Sequence, residues 1–376
     1  MGTPLISIVI PTKNRYKYLI EALESFLLLK NDDFEVVVQD NSDNNSFILE
    51  YLKCHEEYFF LKYFYCGNHL SMSENSDLAI SHSIGEYVCF LGDDDTVTDK
   101  IFEVAQYMKE NNCDSCLGNI NRFNWQDYRD NHVGAVAYKS YNFKGEFKNV
   151  SINLIIEDIL RIGATEMLNL PRVYHGMVKR TLLDRIKEQT GTFFPGPSPD
   201  MASAVAISSY ANKHIQTDIP FIISGFSFNS GGGQGKGGHH GGDIRKVGYL
   251  PKTIMDMWDE RIPQFFSGLT IWPITFLYAM KICGKEDKCD ELNFNYIYAN
   301  LYISHFNLMR TAKCESVSLI KVIPQIVASF FSRGIQYVLR KIKPNCVDKE
   351  FIIVNSVNTL SEALAFEIDK NNTRNE

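Results

Sequence analysis

The sequence predicts an α/β protein: a doubly wound, mostly parallel sheet flanked by helices, with a helical C-terminal extension. Three observations predict it. Short β-branched runs alternate with helically spaced segments from Leu5 to Leu91. Those runs end in polar clusters. A glycine-dense break at Ser227–Gly242 then separates this part from an aromatic-rich remainder. Strand–helix alternation of this kind builds a parallel sheet, because each parallel pair needs a crossover.

Leu5 to Ile10 is a β-branched run stopped by Pro11, the pattern of a buried parallel strand. Arg15 to Lys30 places Leu19, Leu23, Phe26 and Leu27 at helical spacing. Phe34 to Val38 is a second buried strand, closed by the turn-forming Asp40-Asn41-Ser42-Asp43-Asn44-Asn45. Phe47 to Cys54 resumes helical spacing, Leu61 to Tyr65 is a third strand, and Ser73 to Ser83 is helical with Gly85 as its C-cap. Tyr87 to Leu91 is a fourth strand that runs into Gly92-Asp93-Asp94-Asp95. Ligands of such sheets bind beyond the carboxyl ends of the strands. Thr12-Lys13-Asn14-Arg15, Asp40-Asn41-Ser42 and the acidic triplet are therefore expected in one crevice.

Residues 110–225 are mixed. Tyr174 to Val178 and Phe221 to Ser224 have strand character; Ile152 to Leu160 and Asp200 to Tyr210 have helical character. The break, with FNSGGGQGKGGHHGG at its centre, is too rich in glycine for regular structure. The expected division is a catalytic α/β domain over 1–225, a flexible lid or linker over 226–247, and a region over 248–376 that reads as helices to the end. That last region would serve acceptor, membrane-surface or oligomer contacts.

The 376 residues suffice for two domains, or one with a large extension, and 45% apolar residues supply a packed core. A net charge of −7 argues against general nucleic-acid binding, which needs a basic face. The nine cysteines lack framework spacing and read as reduced thiols; Cys113 and Cys116 have no second pair at zinc-site spacing. The N-terminal residues lack the basic and apolar regions of a signal peptide, and no segment has the length of a spanning helix. The expected location is cytoplasmic, at most peripheral on the inner membrane face.

Three adjacent aspartates after a buried strand repel one another and raise their own pKa values unless a cation neutralises them. Hard dications such as Mn²⁺ or Mg²⁺ take carboxylate oxygens and can hold a diphosphate. An acidic turn capping the helix that begins near Asp99 is the alternative.

The runs ISIVIPTKNR, FEVVVQDNSDN and NSDLAISHSIGEYVCFLGDDD, in this order, resemble the family 2 glycosyltransferases of the GT-A fold, well from about residue 5 to 110 and weakly to about 225. The resemblance implies a nucleotide-sugar donor. Thr12 and Asp40 would contact its ribose and base, Asp40 accepting from a uracil N–H, with Pro11, Asn14, Arg15 and Asn41 in the same strand-end loops. Asp93 and Asp94 would hold ribose and diphosphate. Two registers of the DXD-type motif stay open: Asp94 by its distance from the following helix, or the pair Asp93 and Asp95. The expected metal ligands are Asp94, Asp95, His239 and His240. Gln39 stands where many members carry an acid.

Inverting transfer needs a group that takes the acceptor's proton. The family's position for it falls on Asp200, in Pro197-Ser198-Pro199-Asp200 before a helix; an ordinary helix cap is the alternative, and Glu157, Asp158 and Glu166 are competitors. The glycine-rich stretch is either a linker or a lid, with Lys236 meeting the diphosphate and His239 or His240 the metal. His175 reads as a satisfied core or acceptor-site histidine. Residues 317–343 join apolar faces to Lys321, Arg333, Arg340, Lys341 and Lys343, so that helix either lies on an anionic membrane or docks on its own domain.

The expected function is thus inverting, metal-dependent transfer from a UDP-sugar to a saccharide or lipid-linked saccharide, in cell-surface polysaccharide synthesis. Two other readings compete with it. A nucleotidyltransferase would carry a glycine-rich loop after the first strand, and PTKNRY has none. A non-catalytic nucleotide-sugar or saccharide-binding subunit would share the fold.

Overall fold

The structure is a computed structural model that describes residues 2–127, 136–138, 143–228, 230, 241–310, 320, 322–331, 352–354 and 357–372. Strand β1 (Ile6–Thr12) leads through α1 (Tyr16–Phe26) to β2 (Phe34–Asp40), and α2 (Ser46–Lys53) leads to β3 (Leu61–Tyr65). Helix α3 (Met72–Ser81) then carries the chain back across β1 to β4 (Tyr87–Phe90). The four strands are parallel in the order β3-β2-β1-β4, with β1, β2 and β4 buried, as their apolar runs predict, and β3 only half-buried at the edge. The direction of winding reverses between β1 and β4, and a crevice opens at the carboxyl ends of such a pair.

The rest of the sheet is added beside β4. After β5 (Thr96–Val97) and α4 (Lys100–Glu110), strand β6 (Ser115–Asn124) enters, followed by β7 (Val136–Tyr138), β8 (Phe147–Val150) and α5 (Ile152–Arg161). Strand β9 (Gly176–Lys179) lies antiparallel between β4 and β6, so its amino end reaches the carboxyl end of β4. Helices α6 (Arg180–Thr190) and α7 (Pro199–Tyr210) precede β10 (His214–Phe226), which runs parallel to β6.

Helix α7 is buried nearly all round, as its small residues allow. Ala202, Ala206 and Ile207 pack toward the sheet, whereas Met201, Ala204 and Val205 pack on the C-terminal helix α8 (Gly268–Ile282). Helices α9 (Phe294–Ser304) and α10 (Phe306–Met309) extend that second core.

Three expectations are corrected. Pro11 does not end β1, which continues to Thr12. The β4 pairing stops at Val9, so beyond it a missing N–H interrupts no ladder on that side. Gly85 is not the cap of α3, which ends at His82; glycine stands at 85 because a Cβ there would lie 2.6 Å from the Ser7 backbone nitrogen. The C-terminal region is not helical throughout. Strand β11 (Ile352–Val354) pairs with β7, and helix α11 (Leu360–Asn372) returns Leu360, Ala363 and Leu364 to the core beneath α1. Among the described residues, no helix is long and apolar enough to cross a membrane.

Candidate active site

The crevice is built from strand ends. Thr12 closes β1, Asp40 closes β2, and the triplet follows β4. All three aspartates are buried. Thr12 Oγ1 donates to Asp93 Oδ2 at 2.7 Å, and Arg15 Nε donates to Asp93 Oδ1 at 2.7 Å. Arg15 Nη2 lies 3.0 Å from Asp94 Oδ2 and donates to Ser227 Oγ at 3.0 Å. The Ser227 hydroxyl donates in turn to Asp94 Oδ2. The guanidinium carbon sits 4.5 Å from the centre of the Tyr18 ring. Arg15 Nη1 is buried without a hydrogen-bond partner among the described residues. Burial lowers the pKa of the guanidinium, yet Asp93 and Asp94 hold it above the ordinary arginine value.

Asp95 has a different environment. Its Oδ1 accepts from the Gly225 N–H at 2.8 Å; its Oδ2 accepts from the Gly92 N–H at 2.8 Å and lies 2.7 Å from His175 Nε2. These contacts make Asp95 the anchor that ties the turn to β10 and β9. His175 adopts φ +54°, a conformation a non-glycine residue holds only when its surroundings impose it. Its own N–H donates to Phe90 O at 3.1 Å, and its ring stacks on Tyr174. Both ends of the residue are thereby fixed, so His175 is a bonded member of the site.

Burial, and then the neighbouring Asp95, pushes the Asp94 carboxyl up to about 7 against the pull of Arg15. Burial also raises Asp93, with Arg15 and Thr12 opposing. Asp94 Oδ1 carries no hydrogen bond among the described residues, unlike either oxygen of Asp93 or Asp95. A hard carboxylate oxygen left open at the crevice fits a divalent cation that keeps phosphate and water as its other ligands. Asp95 fits that role less well, both its oxygens being engaged. Among the described residues, no three His, Cys, Asp or Glu side chains converge as a ready-made metal cage. Lys236, His239 and His240 lie outside the described residues.

At the other end of the crevice, Asp40 Oδ2 accepts from Tyr16 Oη at 2.7 Å and Tyr63 Oη at 2.6 Å, while Oδ1 accepts from the Ser42 N–H at 2.8 Å. Asn14, at φ +58°, is pinned by its N–H to Ser42 Oγ and by its side-chain amide, which donates to Asp43 Oδ2 and accepts from the Asp43 N–H. Asn41 is occupied within its own loops: its amide donates to the Cys66 and Asn68 carbonyls and accepts from the Leu70 N–H. Pro11 lies in the strand between Ile10 and Thr12, paired with Gln39.

Asp200 stands in the first turn of α7 and does not act as its cap, a position held by Ser198. It lies near enough to His175, Arg172 and Asp95 for their charges to act on it. Burial raises its carboxyl above the ordinary range, with His175 and Arg172 opposing. Glu157, Asp158 and Glu166 are all exposed, and Asp158 is paired with Arg161 at 2.9 Å.

Sequence reasoning missed Ser227, Gly225, Tyr16, Tyr63 and the bonding of His175. Gly225 left a signal, a glycine inside a strand pattern that marks close backbone approach. A Cβ there would sit 1.7 Å from the Asp94 carbonyl oxygen. Ser227 left none, since its partner is 133 residues away.

Residues 7–164 match the sequence model described as Glycosyl transferase family 2. An uncharacterized glycosyltransferase of Rickettsia conorii is 33% identical over 108 residues, 28% of this chain and 18% of the relative. Glycosyltransferase GlyG of Streptococcus pneumoniae is 26% identical over 126 residues, 33% of this chain and 41% of GlyG. The chain thus spans less than half the length of each of these relatives. A crystal structure of S. aureus TarS 1-349 in complex with UDP-GlcNAc superposes with a TM-score of 0.47 at 17% identity, covering 81% of this chain and 74% of the TarS 1-349 chain. The matched span takes in the four parallel strands and the acidic turn. Over residues 7–164 the chain is therefore similar to glycosyl transferase family 2.

Proposed function

We propose that the protein transfers a sugar from a nucleoside diphosphate, UDP in the first instance, to a hydroxyl of a saccharide or lipid-linked saccharide acceptor, with inversion at the anomeric carbon. The observation that carries this reading is the placement of Asp200. Its raised carboxyl stands in the first turn of a rigid buried helix, within electrostatic reach of the acid cluster. Asp200 takes the proton of the acceptor hydroxyl as its oxygen bonds to the anomeric carbon. The bond to the diphosphate oxygen breaks on the opposite side, and its electron pair leaves with the diphosphate.

Thr12, Asp40 and Asp93 line the donor end of the crevice, with Tyr16 and Tyr63 fixing the Asp40 carboxylate for a uracil N–H. Arg15, with one buried and unpaired N–H group, has a donor left for a ribose or phosphate oxygen. Asp94 is the residue that would hold Mn²⁺ or Mg²⁺; if the glycine-rich segment acts as a lid, His239 or His240 would join it on the metal and Lys236 would meet the diphosphate. A cation bound there offsets charge on the departing diphosphate.

The test is nucleoside-diphosphate release from a panel of nucleotide sugars with Mn²⁺, with and without chelator. Wild type, Asp94→Ala and Asp200→Asn are compared, and UDP binding is followed by calorimetry. Release from one donor, lost in both variants and with chelator, supports the reading. UDP binding without release, even with saccharide acceptors supplied, would favour a non-catalytic binding subunit.

A further inference from the structure

The helix over residues 322–331 has two apolar faces. One looks inward: Val322 is fully buried and Ile326 packs on the C-terminal core. The other looks outward. Ile323, Val327, Phe330 and Phe331 are 53%, 48%, 59% and 69% exposed, and Ile320 just before them is 80% exposed. Steps of three and four residues set these side chains on one stripe, because an α-helix turns every 3.6 residues. Isolated exposed apolar residues are ordinary on a protein surface, but a contiguous stripe marks a contact. Docking on its own domain accounts for the first face and leaves the second uncovered.

Charge selects the partner. Residues 317–343 contain Lys321, Arg333, Arg340, Lys341 and Lys343 and no Asp or Glu, within a chain whose net charge is −7. Pairing this stripe with the same stripe of a second copy would bring two uniformly cationic segments together, which like-charge repulsion opposes. An anionic lipid surface offers what the segment lacks: negative headgroups for the cations and an acyl boundary for the phenylalanines. The ten described residues form a helix about 15 Å long, half of what a bilayer crossing requires.

We propose that the exposed stripe of Ile320, Ile323, Val327, Phe330 and Phe331 docks the protein flat on an anionic lipid membrane. The contact is independent of the transfer reaction, so it is tested without an activity measurement.

The full-length protein is co-sedimented with phosphatidylcholine vesicles and with vesicles containing phosphatidylglycerol, at low and high salt. Binding to the anionic vesicles is expected to exceed binding to the neutral ones by roughly tenfold or more, and to weaken with salt. The double variant Phe330→Ser, Phe331→Ser should lose most of that binding. Its melting temperature should stay unchanged, because both side chains are exposed. The triple variant Arg340→Gln, Lys341→Gln, Lys343→Gln should lose the preference for anionic lipid. Equal sedimentation with neutral and anionic vesicles, or none with either, overturns the proposal. So does a concentration-dependent dimer that the serine variant abolishes, which would give the stripe to a second copy.

Discussion

Arg15 Nε lies 2.7 Å from Asp93 Oδ1, joining the loop after β1 to the turn after β4 across the point where the sheet reverses its winding. The same guanidinium reaches Asp94, so one cation balances two buried carboxylates. Replacing Arg15 with Ala leaves both without their counter-charge. The variant should lose about 3 kcal/mol of stability near neutral pH, as breaking a buried ion pair does. Protonation relieves stranded carboxylates, so the loss should shrink toward pH 5. Thermal melts of wild type and variant across pH read the difference.

Asp94 itself weakens the fold as pH rises. Burial and the neighbouring Asp95 push its carboxyl up to about 7 in the folded protein, well above the ordinary carboxylate range. A raised folded-state pKa contributes stability that is fully present below the unfolded value and lost as pH rises through the folded one. Asp94→Asn should therefore match wild type near pH 4 and exceed it by on the order of 1–2 kcal/mol near pH 8. Chemical denaturation at the two pH values checks this. An unchanged difference would place the titration elsewhere.

Asp200→Asn should lower the transfer rate by roughly 10²–10⁴-fold, the usual worth of a positioned general base. Its affinity for UDP should stay within about twofold of wild type, because asparagine keeps the shape of the side chain without the proton-accepting charge. If Asp200 is the base, its raised carboxyl would also set the acid limb of the pH profile. As pH falls through that pKa the base becomes protonated, so activity should decline at a higher pH than an ordinary aspartate would give.

Gly225→Ala tests how the cluster is clamped. The added Cβ would meet the Asp94 carbonyl oxygen at 1.7 Å and the buried Trp125 indole nitrogen at 2.7 Å, and neither is the far end of a flexible side chain. A destabilisation of about 2–4 kcal/mol is expected, from overpacking of a rigid site. The N–H of the same residue holds Asp95, so donor affinity should fall with it. Differential scanning calorimetry and UDP titration report the two effects separately.

Much of the site was legible because it depends on short-range pattern. Short apolar runs marked β1 to β4, and a parallel sheet delivers the residues after its strands to one edge, which is why Thr12, Arg15, Asp40 and the triplet lie together at the strand ends. The reversal of C-terminal helix into strand β11 was not legible, since Ile352–Val354 is a short apolar run whose partner β7 lies far away in sequence.

The sequence by itself determined the parallel half of the sheet, the crevice and the residue types that line it, because side-chain periodicity and turn chemistry are local properties. Only the tertiary structure decided how the triplet divides its work. Ser227 and Gly225 from β10 and its end, and His175 from the approach to β9, bind Asp94 and Asp95 unequally. Asp95 is left as an anchor and Asp94 with an open oxygen. Three adjacent aspartates are equivalent in a sequence, and they become different only when distant backbone N–H groups and side chains are folded against them.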